Sequence, residues 1–137
     1  MHPVLKSIAA LVAGFATASI VMMIVEWLNG SILYPGLAES TAGVTDRDTI
    51  RAILAAAPVG AFLVVLAGWL LGGLSGGWVT GKIADRSIPA HGLALGVLLT
   101  LAGVANNLML SPPAWFWVAS LLVFVPAAYQ GARLAAK

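Results

Sequence analysis

Four apolar stretches fill most of this 137-residue chain, and each is long enough to cross a bilayer. A helix needs about 20 predominantly apolar residues to span the hydrocarbon core, which is roughly 30 Å thick. The stretches run over about 4–28, 58–81, 89–110 and 112–132. Such a backbone must satisfy its own hydrogen bonds inside lipid, so the spans read as helices. Composition agrees: 61% of the residues are hydrophobic and 9% are charged, against roughly 45–50% and 25% in soluble domains. The expectation is a single membrane domain over 1–137, an all-α integral membrane protein built as a four-transmembrane-helix bundle.

The first span has some features of a signal peptide, with Lys6 ahead of the apolar run and Ala16-Thr17-Ala18 resembling a cleavage site. Its apolar run continues through Val25, longer than the roughly 7–15 residues of a signal core. It is therefore read as a span. Ser111-Pro112-Pro113 leaves little room between the last two spans, which predicts a tight hairpin.

Sidedness follows from the basic residues. With the N-terminus inside, Lys6, Lys82, Arg86, Arg133 and Lys137 are cytoplasmic, and only Arg47 and Arg51 lie outside. Both termini are thus expected in the cytoplasm, and the membrane is expected to be a bacterial inner (cytoplasmic) membrane. The net charge of +2 forms no basic cluster, so nucleic acid is not an expected partner. Membrane lipids are.

The one long loop, about 29–57, carries a second pattern. Thr45 and Asp48 have the spacing of a capping box, with Asp in place of Glu or Gln. Ile50, Ile53, Leu54 and Ala57 then share one helical face, with Asp46, Arg47 and Arg51 off it. This predicts a short amphipathic interfacial helix on the outer membrane surface, with a lid or docking element as the alternative. Asn29-Gly30-Ser31 has the form of a glycosylation sequon and is read as a turn.

The second span contains GWLLGGLSGGWVTG. In water each mid-helix glycine costs about 1 kcal/mol relative to alanine, but in lipid small residues are what let helix backbones meet. Gly68, Gly72 and Gly76 form one stripe, and Gly73, Gly77 and Gly81 form another rotated by roughly 140°. Two grooves imply two close neighbours, which makes this the central helix. Gly92, Gly96 and Gly103, with Thr100 and Asn107, make a matching stripe on the third span. The first span offers Ala9, Ala13, Ala16 and Thr17, flanked by Ala10 and Gly14; the fourth offers Ser120, Ala127 and Gly131.

Polar residues within the spans are few. Glu26, Asn106 and Asn107 all fall in the outer leaflet, and if they converge they make a small polar site beneath the amphipathic segment. Each also has a structural reading: Glu26 reaches to the interface, and the asparagines bond between helices. The absence of cysteine excludes disulfides, thiolate metal sites and cysteine nucleophiles. His2 and His91 have no second ligand at metal spacing. No Ser/His/Asp group or pair of carboxylates within a span can be assembled. The expectation is no enzyme, no cofactor and no metal.

The run GGWVTGKIADRSIPAHG resembles a Gly-Gly-x-Val-x-x-x-Ile-Ala-x-Arg pattern in small, uncharacterised four-span bacterial inner-membrane proteins. The resemblance covers the end of one span and the following loop and implies no activity. Small multidrug transporters also have four helices and a glutamate in the first, but theirs lies well inside the membrane, unlike Glu26. The Glu-Arg-x-x-Asn signature of the four-helix glutathione-metabolism enzymes is absent. Two functions remain. The first is a non-catalytic membrane protein that forms a homo-oligomer, or serves another membrane protein as an accessory or scaffold subunit, through its glycine-rich faces. The alternative is an oligomeric small-solute or ion transporter or channel using the outer-leaflet polar site.

Overall fold

The computed structural model describes residues 2–137. The chain is all-helical over these residues: α1 (Pro3–Leu28), a π-helical turn (Asn29–Leu33), α2 (Pro35–Thr41), α3 (Arg47–Ala55), α4 (Val59–Ala84), α5 (Ile88–Leu110) and α6 (Ala114–Ala135). Four of these helices are long and apolar enough to cross a membrane, and the first continues through the π turn to Leu33. Large apolar side chains such as Val12, Leu122 and Met109 point outward. This surface suits an integral membrane protein, because water would penalise so much exposed apolar area.

Local chemistry sets the helix ends. The His2 side chain accepts from the Val4 N–H, and Pro3 follows at the first turn, where its missing N–H costs nothing. α4 stops at Asp85, which adopts a left-handed φ of 52° and donates its N–H to the Gly81 carbonyl. α5 ends similarly at Ser111, with φ 51°. Pro112 and Pro113 then start α6 without a longer loop.

α4 packs against α1 on one side and α6 on the other. The Gly72 and Gly76 stripe faces α1: a Cβ on Gly72 would lie 2.9 Å from the Ala18 carbonyl oxygen, and one on Gly76 would lie 2.6 Å from that of Gly14. Gly68 meets Val25 of the same helix. The second stripe faces α6, where Gly73 abuts Ala127, Gly77 abuts the Ala128 backbone and Gly81 abuts Ala132. α5 lies on α6 through Gly92 and Gly96, which meet Ala132 and Val125. Gly103 sits against Phe124 and Trp69. Every glycine singled out for packing is therefore occupied by a neighbour from the same chain.

The face of α1 differs from the expected one. Ala10, Gly14 and Ala18 are its buried residues, whereas Ala16 is exposed. The flanking stripe wins because Gly14 lets the α1 backbone reach Gly76 directly, and because the buried Thr80 hydroxyl donates to the Ala10 carbonyl at 3.1 Å. Between α4, α5 and α6 lies the aromatic core, where Trp69 stacks on Phe124 at 4.9 Å between centroids and meets Phe116 edge-on at 5.5 Å.

One end of the molecule is tied shut. Lys6 pairs with Asp85, joining α1 to the end of α4. The His91 ring takes Ser87 O at 3.0 Å on Nδ1 and the Ser7 hydroxyl at 2.9 Å on Nε2, joining α5 to α1. A carbonyl only accepts, so Nδ1 carries the proton and, in the neutral ring, Ser7 donates to Nε2. Close approach of α1 to α5 recurs at Gly14 and Leu95. Toward the opposite end these two helices are separated by a cavity.

Candidate binding crevice

The cavity holds about 520 Å³, within the roughly 300–1,000 Å³ of small-molecule sites. α1 and its π turn supply Glu26 and Asn29 as one wall, and α5 supplies Asn106 as the other. Phe62 and Trp69 of α4 line it with Phe116 of α6. Tyr34, Ile50 and Leu54 bring the loop segment over it.

That cover is α3 together with α2. Ile50, Ile53, Leu54 and Ala57 are half-buried, and Leu54 and Ala57 pack against the core. The predicted apolar face is thus present, but it turns onto the ends of the long helices. Its N-cap is Asp46, one residue beyond the expected Thr45; the Asp46 carboxylate accepts from the Thr49 hydroxyl at 2.6 Å and its N–H at 3.0 Å. Those two bonds, the hydroxyl's first, hold the Asp46 carboxyl below the usual carboxylate range.

Of the three expected polar residues, the structure brings two together. Glu26 and Asn106 line the same cavity, Glu26 exposed and Asn106 half-buried. Asn107 does not join them. Adjacent helical residues point about 100° apart, and Asn107 turns toward α6, where its Nδ2 donates to the Ser120 hydroxyl at 2.8 Å. The Ser120 hydroxyl in turn donates to the Trp117 carbonyl at 3.0 Å. Asn107 is 1% exposed and bonds α5 to α6 through its Nδ2, while its Oδ1, like that of Asn29, has no partner. Asn107→Leu is expected to cost about 1 kcal/mol, the typical value of an interhelical bond in a membrane, in a reversible detergent-unfolding titration. Crevice occupancy should be unchanged.

The residue that sequence reasoning missed is Asn29. It is 6% exposed, its Nδ2 donates to the Ala61 carbonyl at 3.1 Å, and its Oδ1 has no partner. The wide π turn places it there: the Asn29 carbonyl accepts from the Tyr34 N–H at 2.7 Å, five residues on. A signal was available. Asn29 follows Glu26 by three residues, the spacing that puts two side chains on one helix face.

A second cavity at this end is lined by Arg47, Arg51, Asn107 and Trp117. Arg47 donates to the Leu108 carbonyl in the last turn of α5, where a cation complements the helix dipole. This accounts for Arg47 as a tie between α3 and α5. Among the described residues, no three of His, Cys, Asp or Glu come together as a metal site.

Fold and crevice together define an α-helical protein with four membrane-spanning candidates and a cavity under a helical cover. Comparison with family models, curated proteins and solved structures gives no match. The chemistry of the crevice is what points to a function.

Proposed function

We propose that this chain is a non-catalytic integral membrane protein that binds a small amphipathic solute in the crevice between α1 and α5. In this reading it lies in a bacterial inner membrane with both termini cytoplasmic, and α2 and α3 sit at the outer interface. The basic residues support that sidedness: Lys6, Lys82, Arg86, Arg133 and Lys137 against Arg47 and Arg51. Of the two functions read from the sequence, the crevice supports the solute-handling one.

The observation that carries this is the pairing of Glu26 with Asn29, a residue whose Oδ1 is buried and unpartnered, on the lining of one largely apolar, aromatic cavity. A buried acceptor without a donor costs about 1–3 kcal/mol. A bound solute that donates to it recovers that loss. Self-association, by contrast, finds both glycine grooves of α4 filled by α1 and α6. An oligomer or accessory complex would have to form through the outward apolar faces, which lipid contact already explains.

The test uses the absence of cysteine from the chain. Asn106→Cys places a single thiol on the crevice wall. A bound amphipath is expected to slow its alkylation.

A further inference from the structure

We infer that the crevice selects an amphipath bearing a primary ammonium group. This rests on the proposed solute-binding role and adds the chemical class. Among the described residues, Glu26 is the only charged side chain lining the cavity; no Lys, Arg or His joins it. The two arginines at this end, Arg47 and Arg51, line the other cavity. An anion would meet the Glu26 carboxylate with no compensating cation. A neutral alcohol would leave that carboxylate without a counter-charge.

The acceptors favour N–H donors in particular. Asn29 Oδ1 is buried and unpartnered, and Tyr34 and Asn106 line the same cavity. A primary ammonium offers three donors, enough for a carboxylate and an amide oxygen at once. A quaternary ammonium offers the same charge and no donor. Phe62, Trp69 and Phe116 supply the remaining surface, suited to an alkyl tail and to a cation lying over an aromatic face. Two sources could supply this group: an aminophospholipid headgroup or a free amphipathic amine. Both present the same group.

The experiment is calorimetric titration of the full-length protein in phosphatidylcholine nanodiscs with octylamine, octyltrimethylammonium, octanol and octyl sulfate. Empty nanodiscs give the partitioning background. Octylamine, charged at neutral pH like a lysine side chain, should bind about tenfold tighter than any of the other three, or about 1.4 kcal/mol. Glu26→Gln should lower its affinity by about tenfold, toward that of octanol. Glu26 is exposed, so this variant should keep its helix content and melting profile. Nanodiscs that also contain phosphatidylethanolamine separate the sources. Weakened octylamine binding there identifies a lipid headgroup as occupant, and unchanged binding identifies a free amine; both support the ammonium class.

Equal affinity for octylamine, octyltrimethylammonium and octanol would overturn the ammonium selection while solute binding stands. So would octylamine binding that Glu26→Gln leaves unchanged. If none of the four binds above background, the solute-binding reading falls with it.

Discussion

Gly77→Leu is expected to force α4 away from α6 and leave a chain that no longer holds its helices together. A Cβ at this position would fall on the Ala128 carbonyl and Cα. The contact is reciprocal, since a Cβ on Gly131 of α6 would fall on the Leu74 carbonyl of α4. Neither partner is a side chain that could rotate aside; both are helix backbone. Overpacking a core costs about 1–3 kcal/mol when neighbours adjust. Here they cannot without separating two helices, so the loss should exceed about 3 kcal/mol in a reversible detergent-unfolding titration. Gly36→Ala is the contrast. Nothing lies within 4 Å of its Cβ, and the gain from a stiffer unfolded chain, about 0.4–1 kcal/mol, should be all that is seen.

Gly76→Leu is the second large effect, and it reaches the crevice. Gly76 and Gly14 meet backbone to backbone, each Cβ position lying within 2.7 Å of the other residue's carbonyl oxygen. A leucine there must push α1 off α4. The cost should again exceed about 3 kcal/mol. Because α1 and its π turn carry Glu26 and Asn29, their displacement also dismantles one wall of the cavity. Any protein that still assembles should therefore show no octylamine binding in the calorimetric titration. Gly76→Ala should also destabilise, though less than Gly76→Leu, since its Cβ would fall 2.6 Å from the Gly14 carbonyl oxygen and 3.0 Å from Ala18 Cβ.

These contacts explain why much of the fold is legible in the order of residues alone. Hydropathy marks the four long helices, because lipid requires each span to be apolar along its length. The two glycine stripes of α4 follow from helical periodicity, and each meets a different neighbour. Helix ends are less visible. α4 runs on to Ala84 because Lys82 and Ile83 continue the helix until Asp85 turns left-handed, and hydropathy carries no trace of that dihedral. On α1, two small-residue stripes run side by side. Only the position of Gly76 and Thr80 on the facing helix decides that Ala10, Gly14 and Ala18 form the contact.

The site was half legible. Glu26 and Asn106 could be placed in one leaflet from their distance along the spans, and they do share a cavity. Asn107 is separable from Asn106 because it alone shares the Gly92/Gly96/Gly103 stripe, but that this stripe meets α6, where Ser120 claims the amide, is not legible in the sequence. The apolar face of α3 was readable, but amphipathicity does not say whether a face meets lipid or protein. Asn29 has one mark, its spacing of three from Glu26, but Asn-Gly-Ser reads as a turn and the π-helical turn that buries the amide leaves no mark of its own.

Alkylation of Asn106→Cys tests the central claim most directly, that the crevice between α1 and α5 is an occupied binding site. The variant is compared with Arg51→Cys, whose position is exposed and lines the other cavity. In phosphatidylcholine nanodiscs, octylamine is expected to slow N-ethylmaleimide reaction at position 106 severalfold and saturably, and to leave position 51 unchanged. Equal rates with and without the amine at position 106, or equal slowing at both positions, would contradict the account.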